Sequence, residues 1–178
     1  MAIDAYLYFP KNNEINVAGE TLDSEMSQKK AFELESFGFG ANNSIKISSD
    51  TGGAGGGKTD FEEFEIKKKT DTASCGLFQM LCLSKHFDEA ILELRRAGGS
   101  SSKSGATFMK IHFLMVVLSK MTWSGDEDSL SEDITFEYGA IRLEYFQQDK
   151  TGKLKKADGD QGEAKWSRTV NENVYRIK

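Results

Sequence analysis

Residues Gly52-Gly-Ala-Gly-Gly-Gly57-Lys58-Thr59 fit the pattern G-x-x-x-x-G-K-[ST] at every position. In a nucleotide-binding loop of this kind, backbone amides cradle phosphates, the lysine neutralises charge and the Ser/Thr hydroxyl holds Mg²⁺. That chemistry needs an amphipathic helix starting at the lysine, with its positive end aimed at the phosphates. The residues that follow are Asp60-Phe-Glu-Glu-Phe-Glu-Ile66. Phe64 and Ile66 alternate as in a strand, and Asp60, Glu62, Glu63 and Glu65 put carboxylates where phosphate would sit. No long α/β framework surrounds the match, and a run so rich in glycine meets the pattern easily by chance. The stronger reading is a glycine-rich loop that can reshape itself against a partner surface.

Other chemistry has less to stand on. His86 and His112 lie far apart in sequence, with no carboxylate or cysteine at ligand spacing. Asp126-Glu127-Asp128 is an acidic cluster without the spacing of an EF-hand loop, so it reads as a solvated loop. No G-x-S-x-G nucleophile motif occurs. Cys75 and Cys82 fall on a predicted helix about 10 Å apart along its axis, at a rise of about 1.5 Å per residue. A disulfide bridges Cα atoms only up to about 7 Å apart, so two buried free thiols are expected. That state fits synthesis in a reducing cytoplasm. No catalytic, cofactor-binding or metal-ligating residue is assigned, and the chain reads as a non-enzyme.

The elements that position these residues are mostly strands. In Ile134 to Phe146, the apolar side moves from Ile134, Phe136 and Tyr138 to Ile141, Leu143 and Tyr145. Alternation marks a half-buried strand, and a phase change at Gly139 predicts a bulge that bends it, as barrels require. Further strands are expected over Ile3 to Phe9, Phe32 to Phe39, Phe61 to Lys68, Phe87 to Arg96 and Thr107 to Met121. The last is apolar on both parities, which predicts cover on both faces. One helix is expected over about Ala73 to Ser84, capped by Asp71 or Thr72. Its pairs Leu77/Leu81 and Phe78/Cys82 are expected against the sheet. The polar stretch after Gln148 reads as a mobile connection, with Lys165-Trp166-Ser167 docking back. Many strands, one helix and a single proline predict an all-β (mainly β with one helix) fold, a barrel with a side helix.

The chain has 178 residues, enough for one domain over 1–170 followed by a tail over 171–178. The net charge of −5 weighs against nucleic acid as a partner, because phosphate binding needs a basic surface. The longest apolar run, Phe113 to Leu118, is far short of the roughly 20 residues of a membrane span, so no membrane insertion is expected. Residues 1–10 carry Asp4 and lack the pattern of a cleaved leader.

Several ordered segments then resemble one family. They are Met-Ala-Ile-Asp-Ala-Tyr-Leu at 1–7, Gly19-Glu20, and Glu35-Ser-Phe-Gly38 before the Gly-rich loop. Next come Glu65-Ile-Lys-Lys-Lys-Thr-Asp71, Lys85-His-Phe87 and Leu94-Arg-Arg-Ala-Gly-Gly99. The last is Asp128-Ser-Leu-Ser-Glu-Asp-Ile-Thr-Phe-Glu-Tyr-Gly-Ala-Ile-Arg-Leu-Glu-Tyr145. Together they resemble the haemolysin-coregulated protein (Hcp) family, the tube component of bacterial type VI secretion systems, over roughly residues 1–170. The chain departs from the family in a longer segment 21–31, in Phe37 and Phe39 where tryptophans are frequent, and in Cys75-Gly76 where a proline is common. The C-terminal extension to Lys178 has no match.

The resemblance implies a two-sheet β-barrel with a single side helix that assembles as a homo-hexamer. Its rings stack into a hollow tube inside a contractile sheath and behind a spike protein. It implies carriage of small effector proteins in the lumen, and passage from the bacterial cytoplasm to the extracellular space or a target cell. Ser36 matches a small polar residue of the family's lumen-lining segment, which makes it the lumen and effector-contact candidate. The loop Asn42 to Lys58 is expected to reach a neighbouring subunit, with Asn42, Asn43, Gly52, Gly53, Gly55, Gly56, Gly57 and Lys58 as its contact candidates. Two other readings compete: the tail tube of a phage or related contractile injection particle, and a nucleotide-binding protein acting through Gly52–Thr59.

Overall fold

A computed structural model describes residues 3–11, 15–44, 46–47, 54–55, 58–96, 105–151 and 153–178, with the backbone alone at 46–47 and 54–55. In chain order the strands are β1 (Ile3–Tyr8), β2 (Phe32–Leu34), β3 (Ser36–Gly38), β4 (Ala41–Asn43), β5 (Lys46–Ile47), β6 (Ala54–Gly55), β7 (Thr59–Phe61) and β8 (Phe64–Lys69). Helix α1 (Ser74–Cys82) follows. Then come β9 (His86–Arg96), β10 (Ala106–Gly125), β11 (Leu130–Gln148), β12 (Leu154–Lys156) and β13 (Glu163–Ser167).

The main sheet runs β2-β1-β9-β10-β11-β8-β3, with β12 and β13 added along β11. Its two end strands, β2 and β3, are consecutive in the chain and separated only by Glu35. The strand expected over Phe32 to Phe39 is therefore broken. Its first half pairs with β1 and its second with β8. The Glu35 amide donates to the Lys67 carbonyl at 2.7 Å, so one bent segment closes the sheet on itself. Closure removes the unpaired edges that an open sheet leaves.

The phase change at Gly139 is present, but no residue is inserted there. The partners Leu114↔Ala140 and Val116↔Tyr138 leave one residue on each strand between them, Met115 and Gly139. Both strands change parity together: Phe113 and Ile141 face the core on one side of the kink, Val116 and Tyr138 on the other. Met115 takes φ 54°, the left-handed conformation that a β-strand residue rarely adopts. A Cβ on Gly139 would lie 2.9 Å from the Ile177 side chain, so the glycine makes room for the C-terminal segment. The register shift lies elsewhere on this ribbon, between Leu118 and Lys120. Two-sided cover of β10 is incomplete within one chain: Leu114 and Val117 are half-buried and Met115 is exposed.

The core centres on stacked aromatic rings. Phe113 stacks on Phe64 at 4.2 Å and meets Tyr138 and Phe39 edge-on. Helix α1 buries Leu77 and Met80, but Phe78 and both cysteines are exposed. The thiols expected in the core therefore face outward, on the far side from Leu77. Neither Asp71 nor Thr72 caps the helix: Ala73 holds the N-cap position, while Asp71 accepts from the Ala73 amide at 2.9 Å. Gly76 lets the segment after β1 cross the helix closely, since a Cβ there would meet the Asn16 carbonyl at 2.8 Å. The polar stretch after Gln148, read as mobile, contributes β12, which pairs with Phe146–Gln148.

Candidate functional site

No group of three or more His, Cys, Asp or Glu able to hold a metal occurs among the described residues. The chemistry of this chain lies on its surfaces and in the buried charges that brace them.

The first surface is the outward side of β3, β8 and β11. Along β8, Phe64, Ile66 and Lys68 are buried while Glu65, Lys67 and Lys69 turn away from the core, the alternation of a pleated strand. Ser36 is exposed and pairs with Lys67, while Gly38 pairs with Glu65. A shallow groove of about 290 Å³ there is lined by Ser36, Lys67, Glu65, Asp133, Thr135 and Lys120. It carries two hydroxyls, Ser36 and Thr135, with both signs of charge and the exposed Phe37 beside them. Ser36 shares the outward side because the chain bends at Glu35; strict alternation from buried Phe32 would have turned it inward.

The second surface is the arm built from the segment expected as a loop. It is a hairpin in two parts. Asn42 pairs with Asp60 and Asn43 with Thr59, and Lys46–Ile47 pairs with Ala54–Gly55. Asn42 also donates to the Glu62 carboxylate at 3.1 Å. Lys58 is exposed, and Thr59 begins a strand where a nucleotide-binding loop would begin its helix. Gly55 is in β6, whereas Gly52, Gly53, Gly56 and Gly57 lie outside the described residues.

Buried charges that sequence reasoning missed brace these surfaces. Lys68 and Glu132 are cross-strand partners on β8 and β11, fully buried beneath α1, with Nζ 2.9 Å from Oε2. Lys68 also reaches Asp71 at 2.8 Å and donates to Ser74 Oγ at 3.2 Å. The Trp123 indole donates to the other Glu132 oxygen at 2.9 Å. Lys67 to Lys69 are three like charges in a row, and the alternation of β8 is the signal that the middle one turns inward.

The second such cluster lies where the tail crosses the sheet. His112 sits between Glu89 at 3.1 Å and Glu144 at 2.9 Å. Tyr175 donates to Glu89 at 2.8 Å, and the Arg142 guanidinium lies 4.6 Å over the Tyr175 ring. The hydrogen bond with His112 pulls the Glu89 carboxyl below its ordinary value of 4.5, against the opposing effect of burial and with the help of Tyr175. A carboxyl with a depressed folded value stabilises the fold above its unfolded value, and that contribution disappears as pH falls through the folded one. The segment 168–178 is therefore expected to loosen on acidification below about pH 4.5, the unfolded carboxyl range. Hydrogen exchange across 168–178 between about pH 6 and pH 3 checks this. Glu89→Gln should weaken the docking and flatten its acid dependence; an unchanged pH profile in that variant would assign the loosening elsewhere.

The comparisons with known proteins agree with this architecture. The family model described as "Type VI secretion system effector, Hcp" matches residues 6–145. Protein hcp1 of Pseudomonas aeruginosa is 27% identical over 121 residues, 66% of this chain and 68% of that protein. A solved type six secretion system protein superposes with a TM-score of 0.79 at 29% identity, covering 96% of this chain and 99% of that one. Hcp1 from Salmonella typhimurium superposes with a TM-score of 0.71 at 20% identity, over 98% of this chain and 100% of its own, which is a likeness of fold.

Proposed function

We infer the function from one premise: this chain belongs to the Hcp family of type VI secretion system proteins, whose model spans residues 6–145. It serves as a structural component of the secretion tube. Its subunits form hexameric rings, and the rings stack inside the contractile sheath behind the spike. Small effector proteins ride in the lumen, and the protein leaves the cell with the tube. The observation that carries this reading is the family match, joined to a closed barrel whose surfaces, rather than a cleft, hold its polar chemistry.

Ser36 is the proposed lumen contact. What supports it is an exposed position on a mixed-charge sheet face that offers hydrogen bonds. The arm from Asn42 to Lys58, with Gly52, Gly53, Gly55, Gly56 and Gly57, is the proposed contact to a neighbouring subunit. Its paired strands support this because they lie outside the main sheet. Residues 1–170 act as one domain. The segment 171–178 packs against it as a tail, through Tyr175 and Ile177.

Light scattering of the purified protein followed by negative-stain imaging tests the reading. The expected result is a six-subunit mass and rings with a central hole. A stable monomer at high concentration would overturn it. Deleting Gly52 to Gly57 should leave a folded subunit that forms tubes poorly, and Ser36→Gln should keep the rings while changing cargo retention. Normal tubes from the first, or unchanged cargo retention and secretion from the second, would remove that assignment.

A further inference from the structure

The β10–β11 ribbon ends in two turns of the same construction and opposite charge. At one end, Asp126 Oδ1 accepts from the Asp128 amide at 3.0 Å, the Ser129 amide at 2.8 Å and Ser129 Oγ at 3.0 Å. That carboxylate is spent inside its own turn, and Glu127 and Asp128 remain exposed. At the other end, Asp149 Oδ1 accepts from the Thr151 amide at 2.7 Å, Thr151 Oγ1 at 2.6 Å and the Lys153 amide at 3.0 Å. Lys150, Lys153 and Lys155 are exposed around it. The ribbon rows Gly125↔Leu130 and Met109↔Tyr145 mark the two ends. At about 3.3 Å per residue they lie up to about 53 Å apart along the strand.

Each turn sits beside apolar surface. Next to the acidic turn, Phe78, Trp123 and Leu130 are 46%, 38% and 47% exposed. Phe78 and Trp123 meet edge-on at 5.5 Å. The Trp123 ring is locked by its hydrogen bond to buried Glu132, so it is presented without the usual entropy cost of ordering an aromatic anchor. At the lysine end, Tyr145 and Ile3 are 41% and 55% exposed. An apolar face rimmed by anions at one end, with an apolar face rimmed by cations at the other, matches a second copy placed head to tail. It does not match a copy docked end to end about a twofold axis, which would set like charges against each other.

We propose that the Phe78–Trp123–Leu130 face, with Glu127 and Asp128, docks on the Lys150–Lys153 end of a second copy, so that charge sets the polarity of the contact. This deepens the tube reading and rests on it. Lysine ammonium groups can pair with the two carboxylates and also lie over the Trp123 and Phe78 rings. Contacts of this kind between exposed charges weaken as salt shortens the screening length to about 10 Å at 0.1 M and below at higher salt.

The test uses surface charges only and leaves the turn-capping Asp126 and Asp149 intact. One variant carries Glu127→Lys and Asp128→Lys, another carries Lys150→Glu and Lys153→Glu, and a third carries all four changes. Ring mass is read by light scattering, and stacking by sedimentation and imaging across a salt series. Each two-site variant should keep its rings and lose stacking by roughly tenfold, the equivalent of about 1.4 kcal/mol. The four-site variant should stack again, and so should a mixture of the two two-site variants. Stacking and salt dependence that do not change in the variants, or a four-site variant that stacks no better than its parents, would overturn the proposal. If the wild type forms no ring, the tube reading falls by that result alone. The charge rule is then read from concentration-dependent association of single chains, with the same expectation for each variant.

Discussion

Replacing Lys68 by methionine lowers the stability of this protein by about 3–5 kcal/mol, because the Glu132 carboxylate is left charged, buried and unpaired. For a chain of this size that is a fall of roughly 6–20 °C in thermal midpoint. Three features make the cost large. Both partners are fully buried, both are cross-strand neighbours, and the lysine also ties down Asp71 and Ser74 at the start of α1. The Trp123 indole loses its fixed acceptor geometry at the same time. The double replacement Lys68→Met with Glu132→Leu should recover most of the loss, since an apolar pair of similar volume avoids burying charge. Thermal melts at one protein concentration check both, because assembly itself shifts the midpoint. A cost under about 1 kcal/mol for the single change would mean that water reaches the pair.

Phe113→Ala is the second large effect, with an expected loss of about 3–5 kcal/mol. Phe113 is fully buried and touches rings from three other strands or loops: Phe64 stacked at 4.2 Å, Tyr138 at 5.0 Å and Phe39 at 5.8 Å. The cavity would open directly beside the kink, where Met115 already holds an unfavourable backbone conformation. Denaturant unfolding reads the loss as a shift in midpoint with the slope retained. Phe78→Ala on the exposed face of α1 is the control, with an expected change within about 1 kcal/mol. A Phe113 cost no larger than that of Phe78 would place the centre of the core elsewhere.

The alternation of Phe64 and Ile66 in β8 and of the apolar residues in β11 was enough to point to a barrel, because period-two patterns report burial directly. The parity change near Gly139 was also visible. Its cause was not, since a bulge and a kink shared by two strands leave the same trace in one sequence. The break at Glu35 left a trace, since the apolar side passes from Phe32 and Leu34 to Phe37 and Phe39, but only the partner strands show that the segment serves both ends of the sheet. Helix α1 was legible in its extent but not in its orientation. Phe78 and Cys82 match Leu77 and Leu81 in spacing, and only contact with the sheet tells which pair turns inward. Of the candidate site residues, Ser36 and Lys58 are exposed, and Asn42 and Asn43 pair with Asp60 and Thr59. The ion pair of Lys68 with Glu132 lay hidden in a run of like charges: the alternation of Phe64, Ile66 and Lys68 marks the enclosed lysine, but sequence does not show which carboxylate meets it.

The order of the sheet has a consequence for synthesis. The first strand made, β1, pairs with β2 nearby but takes its other partner from β9, so Asp4 waits for Arg95. β8 likewise waits for β11. The local meander β9-β10-β11 can form first, because its neighbours are adjacent in the chain. Until it does, Tyr6, Tyr8 and Phe32 emerge from the ribosome with nowhere to bury themselves. Closure of the barrel needs these long-range pairings, so the nascent amino-terminal third is the part exposed longest to its neighbours on a crowded polysome.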